Sequence, residues 1–374
     1  MIVLCDSFKR MAEKFQKEHL SVAMFGCGVL GRVTTPEILR QYELIDNVVC
    51  YADNDQRLWG NSLDLYGRKI PVVSPDTLRE RGKIAILLNV SRYSAVLEQL
   101  NAYPELAEVH CYLIPMMCID NFRNAELSGA VKDTKDAVIP KVINYVWIGG
   151  GSFSDSQKKC MESWRRFCPD YKIRQWDETN YDFRSNSYMA EACDRKAFAF
   201  ASDYAKLDIL YRYGGFCLDT DVELVKPLDE LRYQEAFCGV EKWQVLNFGG
   251  MSGAQRGSRA IRAYLDARQN LHFIRPDGRE NRMTCGYYDT KTAINNGYQL
   301  NGTIQKIDGM NIYPSDYFHP YDYMSGQTEI TENTYSIHHF GGSWLTPEMM
   351  ESNRTTRENY QALHEEALRN GCAQ

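Results

Sequence analysis

Two aspartates separated by a single threonine, Asp219 and Asp221, follow directly on the apolar run Phe216-Cys217-Leu218 in the stretch YGGFCLDTDVEL. Such a run reads as a buried strand, and side chains at i and i+2 of a strand project from one face about 6–7 Å apart. Two carboxylates that close repel each other and call for a cation. A hard divalent ion accepts carboxylate oxygens and keeps positions open for phosphate oxygens, so the pair predicts a Mg²⁺ or Mn²⁺ site for a diphosphate. A solvated turn would also accommodate D-x-D, and the flanking residues weigh against that bland reading. Upstream, in ASDYAKLDILYRYGG, Asp203 and Lys206 lie one helical turn apart on a shared face, and Gly214-Gly215 turns the helix into the strand.

A second pattern lies near the N-terminus. Gly26, Gly28 and Gly31 fit G-x-G-x-x-G after an apolar strand, and Asp53 follows Gly31 by 22 residues at the end of another strand. Glycines of this kind let a backbone turn approach a diphosphate at a helix N-terminus, while the acid takes ribose hydroxyls. The half that carries them is short and offers no hydride-transfer partners. Nucleotide binding and a purely structural module therefore both remain open for Gly26, Gly28, Gly31 and Asp53.

The elements that must position these groups are α/β in pattern. SVAMFGCGVLG, NVVCYADND and KIAILLNV read as buried parallel strands separated by helical segments such as PEILRQYELI, a Rossmann-type βα repeat. The polar stretch SGAVKDTKDAVIP then separates a second α/β set, giving an N-terminal domain over 1–130, a linker over 131–138 and a second domain over 139–374. In that second part KVINYVWIGG and YKIRQWD are strands, a helix runs from Ser154 to Phe167, and one long helical region covers Tyr188 to Tyr213. The closing segment TPEMMESNRTTRENYQALHEEALRN is a charged terminal helix.

The 374 residues are 44% hydrophobic and 25% charged, enough for two packed cores rather than a disordered chain. The formal charge of −6 lacks the basic footprint of a nucleic-acid binder. The twelve cysteines contain no C-x-x-C, so they imply reduced core residues in a cytoplasmic protein. No run reaches the length of a membrane span, and no secretory leader is evident.

Four blocks, NYVWIGG, YKIRQWD, ASDYAKLDILYRYGGFCLDTDVEL and IHHFGGSW, resemble glycosyltransferase family 32, the DXD sugar transferases, and more distantly the glucosyltransferase domain of the large clostridial toxins. The resemblance covers roughly residues 139–345. It implies a GT-A fold and metal-dependent, retaining transfer of a sugar from a nucleotide-sugar donor, UDP more than GDP. Val146 and Trp147 would face the donor, with the indole stacked on the base; Asp203 and Lys206 would contact the sugar and its phosphate. Asp219 would bind sugar or ribose hydroxyls and the metal, Asp221 the metal directly, and His338 rather than His339 would complete the ligand set, favouring Mn²⁺ over Mg²⁺. Ser343 and Trp344 would close over the diphosphate, and NFGGMSG, with Asn247, looks like a turn on the acceptor side.

In the N-terminal half FGCGVLG, a strand ending in DND and KIPVVSPDTL resemble the small domain of bacterial sugar acyltransferases, which implies nucleotide-sugar or regulatory binding. The family 32 resemblance further implies a saccharide or lipid-linked saccharide acceptor in surface or capsular polysaccharide synthesis. Work at the inner face of the membrane would need a peripheral docking surface, and no basic amphipathic helix announces one. Two other readings stand beside it: an NAD-dependent oxidoreductase built on the glycine motif, and a sugar-nucleotide-binding protein without turnover.

Overall fold

The computed structural model describes residues 1–123, 128–342 and 345–372. These form two compact units, each with its own seven-stranded sheet. The first comprises residues 1–123, 323–326 and 346–374, and the second residues 124–322 and 327–345.

In the first unit the strands are β1 (Ile2–Leu4), β2 (Ser21–Phe25), β3 (Val48–Ala52), β4 (Ser62–Leu65), β5 (Arg68–Val73), β6 (Ile84–Leu88) and β7 (His110–Leu113), joined by α1 (Phe8–Glu18), α2 (Thr35–Gln41), α3 (Tyr93–Asn101) and α4 (Ile114–Asn121). Their order is β1-β7-β6-β2-β3-β5-β4, parallel throughout except for the β4–β5 hairpin. Strands covered on both faces read as continuous apolar runs, which is why VAMF and IAILL bury every side chain. The sheet is larger than a mononucleotide-binding half.

The second unit contains β8 (Val142–Val146), α5 (Asp155–Phe167), β9 (Lys172–Trp176), α6 (Ser187–Asp194), α7 (Phe198–Tyr213), β10 (Gly215–Cys217), β11 (Val222–Leu224), β12 (Ala236–Val240) and β13 (Leu246–Ala254). It continues through α8 (Arg259–Arg268), α9 (Cys285–Asn295), β14 (Gln305–Ile307), β15 (Met310–Tyr313), α10 (Ser315–Phe318) and β16 (Ser336–His338). The sheet order is β14-β15-β12-β13-β10-β8-β9, with β11 and β16 forming a separate two-stranded ribbon. One aromatic-rich core lies under Trp164, Phe216 and Phe237, and another around Trp176 and Phe273.

Three local expectations are corrected. The helical region from Tyr188 to Tyr213 is two helices, because Lys196 takes a left-handed conformation (φ 54°) and the chain restarts at Phe198. NFGGMSG is strand β13 rather than a turn. The segment 131–138 is no free linker: Val131 N–H donates to the Tyr313 hydroxyl at 2.9 Å, and Asp133 and Val138 N–H donate to the carbonyls of Tyr233 and Arg232 at 2.7 and 3.0 Å.

The last helix, α11 (Pro347–Cys372), groups with the first unit and not with residues 139–345. Cys5 N–H donates to the Ala367 carbonyl at 3.2 Å, Asn370 Nδ2 to the Val3 carbonyl at 2.9 Å, and Tyr360 and Ala367 are buried. Amphipathic patterning announces a helix but not the surface it covers. Truncation after Leu345 is expected to uncover that apolar face and melt the first unit at lower temperature. Differential scanning calorimetry of full-length and truncated chains, with limited proteolysis to assign the transition, checks this.

Candidate active site

Helix α7 reaches β10 through Gly214 and Gly215, both at positive φ. The turn is held by a fully buried Asn144 on β8, whose amide donates to the carbonyls of Gly214 and Phe216, each at 3.1 Å, and accepts from the Trp176 indole at 2.9 Å. Strand β10 then stops at Cys217. Asp219-Thr220-Asp221 is therefore not strand but a tight turn, closed by Val222 N–H on the Asp219 carbonyl at 3.1 Å, and the expected i, i+2 strand geometry does not apply. The reason is that β11 leaves the main sheet to pair antiparallel with β16, setting Val222 opposite His338.

The turn still converges its carboxylates. Ligand atoms of Asp219, Asp221 and His338 all lie within 4.8 Å of one another. Asp219 Oδ1 meets Lys206 Nζ at 2.5 Å, and the same ammonium is 3.5 Å from Asp203 Oδ1. Asp221 lies 3.5 Å from His338 Nε2 and accepts the Gly341 N–H at 2.7 Å. Burial opposes the charged form of Asp221, but His338 and the Gly341 N–H more than offset it and hold the carboxyl well below its usual range. Burial alone would depress His338, yet Asp221 raises it; burial likewise opposes the Lys206 ammonium, which Asp219 and Asp203 favour strongly. Burial raises Asp203 despite Lys206. His339, by contrast, is exposed and paired with Glu223 at 3.0 Å.

Helix α5 braces the turn. Ser154 and Gln157 form a capping box, and Gln157 Nε2 also donates to the Thr220 hydroxyl at 2.8 Å. Further along, the Trp164 indole donates to the Val222 carbonyl at 2.7 Å.

Strand β13 supplies the opposite wall. Cys238 pairs with Ser252 but Gly239 pairs with Asn247, so residues 248–251 bulge out of the ladder. Asn247 builds this bulge: its amide donates to Glu241 at 2.8 Å and its oxygen accepts the Gly249 and Gly250 N–H groups, each at 2.9 Å. A Cβ at Gly249 would sit 2.3 Å from Asp219 Oδ2, and one at Gly250 would fall within the His319 ring, 1.8 Å from Cε1.

Val146 and Trp147 are half-buried at the end of β8. The Trp147 indole donates to the Gly151 carbonyl at 2.8 Å and has Phe153 at 4.4 Å between ring centroids. Ser343 and Trp344 lie outside the described residues. In the first unit, Asp53 accepts the N–H groups of Cys27 and Asp55 at 2.7 and 2.8 Å, and a Cβ at Gly31 would sit 2.0 Å from the Gly26 carbonyl oxygen. The Gly31–Gly26 approach is internal to the glycine turn and Asp53 ties its Cys27 N–H to the loop after β3, whereas Gly28 has open space beside it.

Several residues near the site escaped sequence reasoning. Buried Arg268 pairs with Asp289 at 2.5 Å and donates to the Asp203 carbonyl at 3.4 Å. His319, fully buried beside His338, is kept neutral by burial and by that neighbouring imidazole. Only the paired glycines of NFGG signalled a close approach.

Residues 154–238, from the cap of α5 through the aspartate turn to β12, match the family model described as a glycosyltransferase sugar-binding region containing DXD motif. The aspartate turn is that DXD. Inositol phosphoceramide mannosyltransferase 3 of Schizosaccharomyces pombe is 27% identical over 133 residues, covering 34% of this chain and 35% of its own length. The chain thus spans about a third of that curated relative. Among solved structures, the PaToxG glycosyltransferase aligns at 16% identity and a TM-score of 0.34, over 55% of this chain and 77% of that one, a likeness too slight to carry an argument. No helix among the described residues is long and apolar enough to cross a membrane.

Gly249→Ala should displace Asp219 from Lys206 without unfolding the chain. Misplacement of a reacting or binding group by about 1 Å costs on the order of 100-fold in rate. The expected outcome is a loss of that order in whatever turnover the turn supports, with circular dichroism and melting close to wild type.

Proposed function

We propose that this protein is a metal-dependent glycosyltransferase of GT-A type that moves a sugar from a nucleotide-diphosphate donor to a saccharide acceptor. The observation that carries the reading is the convergence of Asp219, Asp221 and His338 within 4.8 Å, with Lys206 and Asp203 alongside; the two carboxylates of the turn, Lys206 and Asp203 lie inside the segment that matches the DXD region, and His338 reaches them from β16. Two carboxylates and an imidazole at that spacing fit a divalent cation, with Mn²⁺ suited to the mixed oxygen and nitrogen set. When bound, such a cation neutralises charge on a departing nucleoside diphosphate.

The chain's own groups do the rest. Lys206 holds Asp219 in place through their 2.5 Å ion pair, and its ammonium is offered to a donor phosphate or sugar oxygen. Asp203, held from behind by Arg268, accepts sugar hydroxyls. The Gly249–Gly250 backbone lets Asp219 and Lys206 lie close against β13, and Trp147 offers an aromatic face for a base. We read transfer as retaining, with leaving group and acceptor on one face, and the donor as a UDP-sugar; the mannosyltransferase relative makes GDP-mannose the first alternative. The acceptor we assign is a surface or capsular saccharide, met on the cytoplasmic side. The N-terminal glycine turn is read as structural, since Asp53 already accepts the Cys27 N–H within it and the Asp55 N–H of its own loop.

Nucleoside diphosphate release from a panel of sugar nucleotides, with Mn²⁺ or with chelator, tests the function. UDP or GDP release that depends on metal is expected; a chain that binds donors without turnover, or reduces NAD instead, would replace this reading. Asp221→Asn should lower turnover by at least about 100-fold, exceeding the 10–100-fold typical of groups one shell further from a metal, while the fold survives. Near-normal turnover of that variant in Mn²⁺ would return the turn to a solvated loop.

Trp147→Ala should raise the donor KM by the equivalent of ~1–3 kcal/mol of lost stacking, with Trp147→Phe recovering part. A lower melting temperature at unchanged KM would make the indole a packing residue only.

A further inference from the structure

A second group of metal-competent side chains lies in the first unit, in sequence segments with no part in the donor site. Cys5 follows β1, Asp120 sits in the last turn of α4, and His364 projects from α11. One ligand atom from each lies within 4.8 Å of the others. The Cys5 thiol donates to Asp120 Oδ2 at 3.2 Å, and His364 Nε2 lies 2.7 Å from the same oxygen. Cys5 is buried, while the side chains of Asp120 and His364 keep 26% and 21% of their surface exposed, so the cluster is reached by solvent from one side.

We propose that Cys5, Asp120 and His364 form a thiolate–imidazole–carboxylate site for a zinc-like divalent cation that fastens α11 to the first unit. The geometry is close to what such an ion needs. Sulfur at about 2.3 Å and nitrogen or oxygen at about 2.0–2.2 Å from a tetrahedral Zn²⁺ stand about 3.4–3.6 Å from one another. The sulfur–oxygen spacing of 3.2 Å and the nitrogen–oxygen spacing of 2.7 Å must open by only a few tenths of an ångström or somewhat more, within reach of side-chain rotation.

Two hydrogens now hold the three groups together, and a cation takes their place. The thiol proton leaves to solvent, the imidazole proton on Nε2 exchanges through solvent to Nδ1 so that the neutral ring binds through Nε2, and water from the open side completes the tetrahedron. The donor set also separates this site from the aspartate turn. Sulfur and nitrogen select zinc-like ions, whereas the carboxylate-rich turn suits Mn²⁺ or Mg²⁺. Asp120 and His364 are 244 positions apart in sequence, so the link would close a long loop.

The test uses the full chain stripped of metal by chelator and titrated with Co²⁺, whose thiolate complexes absorb in the near ultraviolet. The expected result is a thiolate-to-cobalt band that saturates at one equivalent, is bleached by Zn²⁺, and is lost in Cys5→Ser and in His364→Gln. Zn²⁺ should raise the melting temperature of the wild type and not of either variant, with Mn²⁺-dependent sugar-nucleotide hydrolysis the same in all three. A wild type without the band, or a band of unchanged affinity in either variant, overturns the proposal. If Cys5→Ser does not accumulate folded, His364→Gln, altered at a partly exposed side chain, decides alone. The cobalt band reports on this site whether or not the chain proves to be a transferase.

Discussion

Two negative charges carried on one tight turn just past a buried strand end must be balanced locally, and the structure does this with a separate partner for each. Lys206, only 5% exposed, meets Asp219, and His338 meets Asp221. Removing one member of such a pair takes from the other its nearest counter-charge. Every element around the turn can be understood as holding one of these groups in place. Helix α7 presents Lys206 and Asp203, the β11–β16 ribbon brings His338 opposite Val222, and the β13 bulge withdraws side-chain volume where Asp219 and Lys206 meet.

Lys206 and His338 each serve a different carboxylate of the turn, so neither aspartate relies on the other's partner. Hydrogen bonds donated by Gln157 to the Thr220 hydroxyl, by the Trp164 indole to the Val222 carbonyl and by the Asp219 N–H to the Gly249 carbonyl keep the backbone from following the side chains. Preorganisation of that kind lets electrostatic interactions act without a reorganisation cost at the moment of reaction.

What the sequence disclosed was chemistry more than geometry. Carboxylates at 219 and 221, and an acid and a base one turn apart at 203 and 206, could be read directly because residue type and helical spacing are local properties. The strand runs in both halves, and the helix capped by Ser154, were likewise legible. The turn at Asp219–Asp221 was hidden because its cause is a three-residue strand that pairs with residues more than a hundred positions later. Glycines at 249 and 250 read as a loop, since glycine marks turns more often than it marks a bulge that admits a neighbouring carboxylate. Arg268 and His319 lie far from the motif in sequence, and nothing local ties either to it.

The attachment of α11 to β1 also sets an order of events during synthesis. The first unit needs residues from both ends of the chain: Cys5 N–H waits for the Ala367 carbonyl, and the Val3 carbonyl waits for Asn370. Because the ribosome delivers residues from the N-terminus onward and domains fold as units when their segments are available, residues 124–345 are all made before the first unit receives its last helix. The half that begins first is thus completed last, and the edge of β1 and its surroundings stay uncovered for the whole time the transferase-like half is emerging.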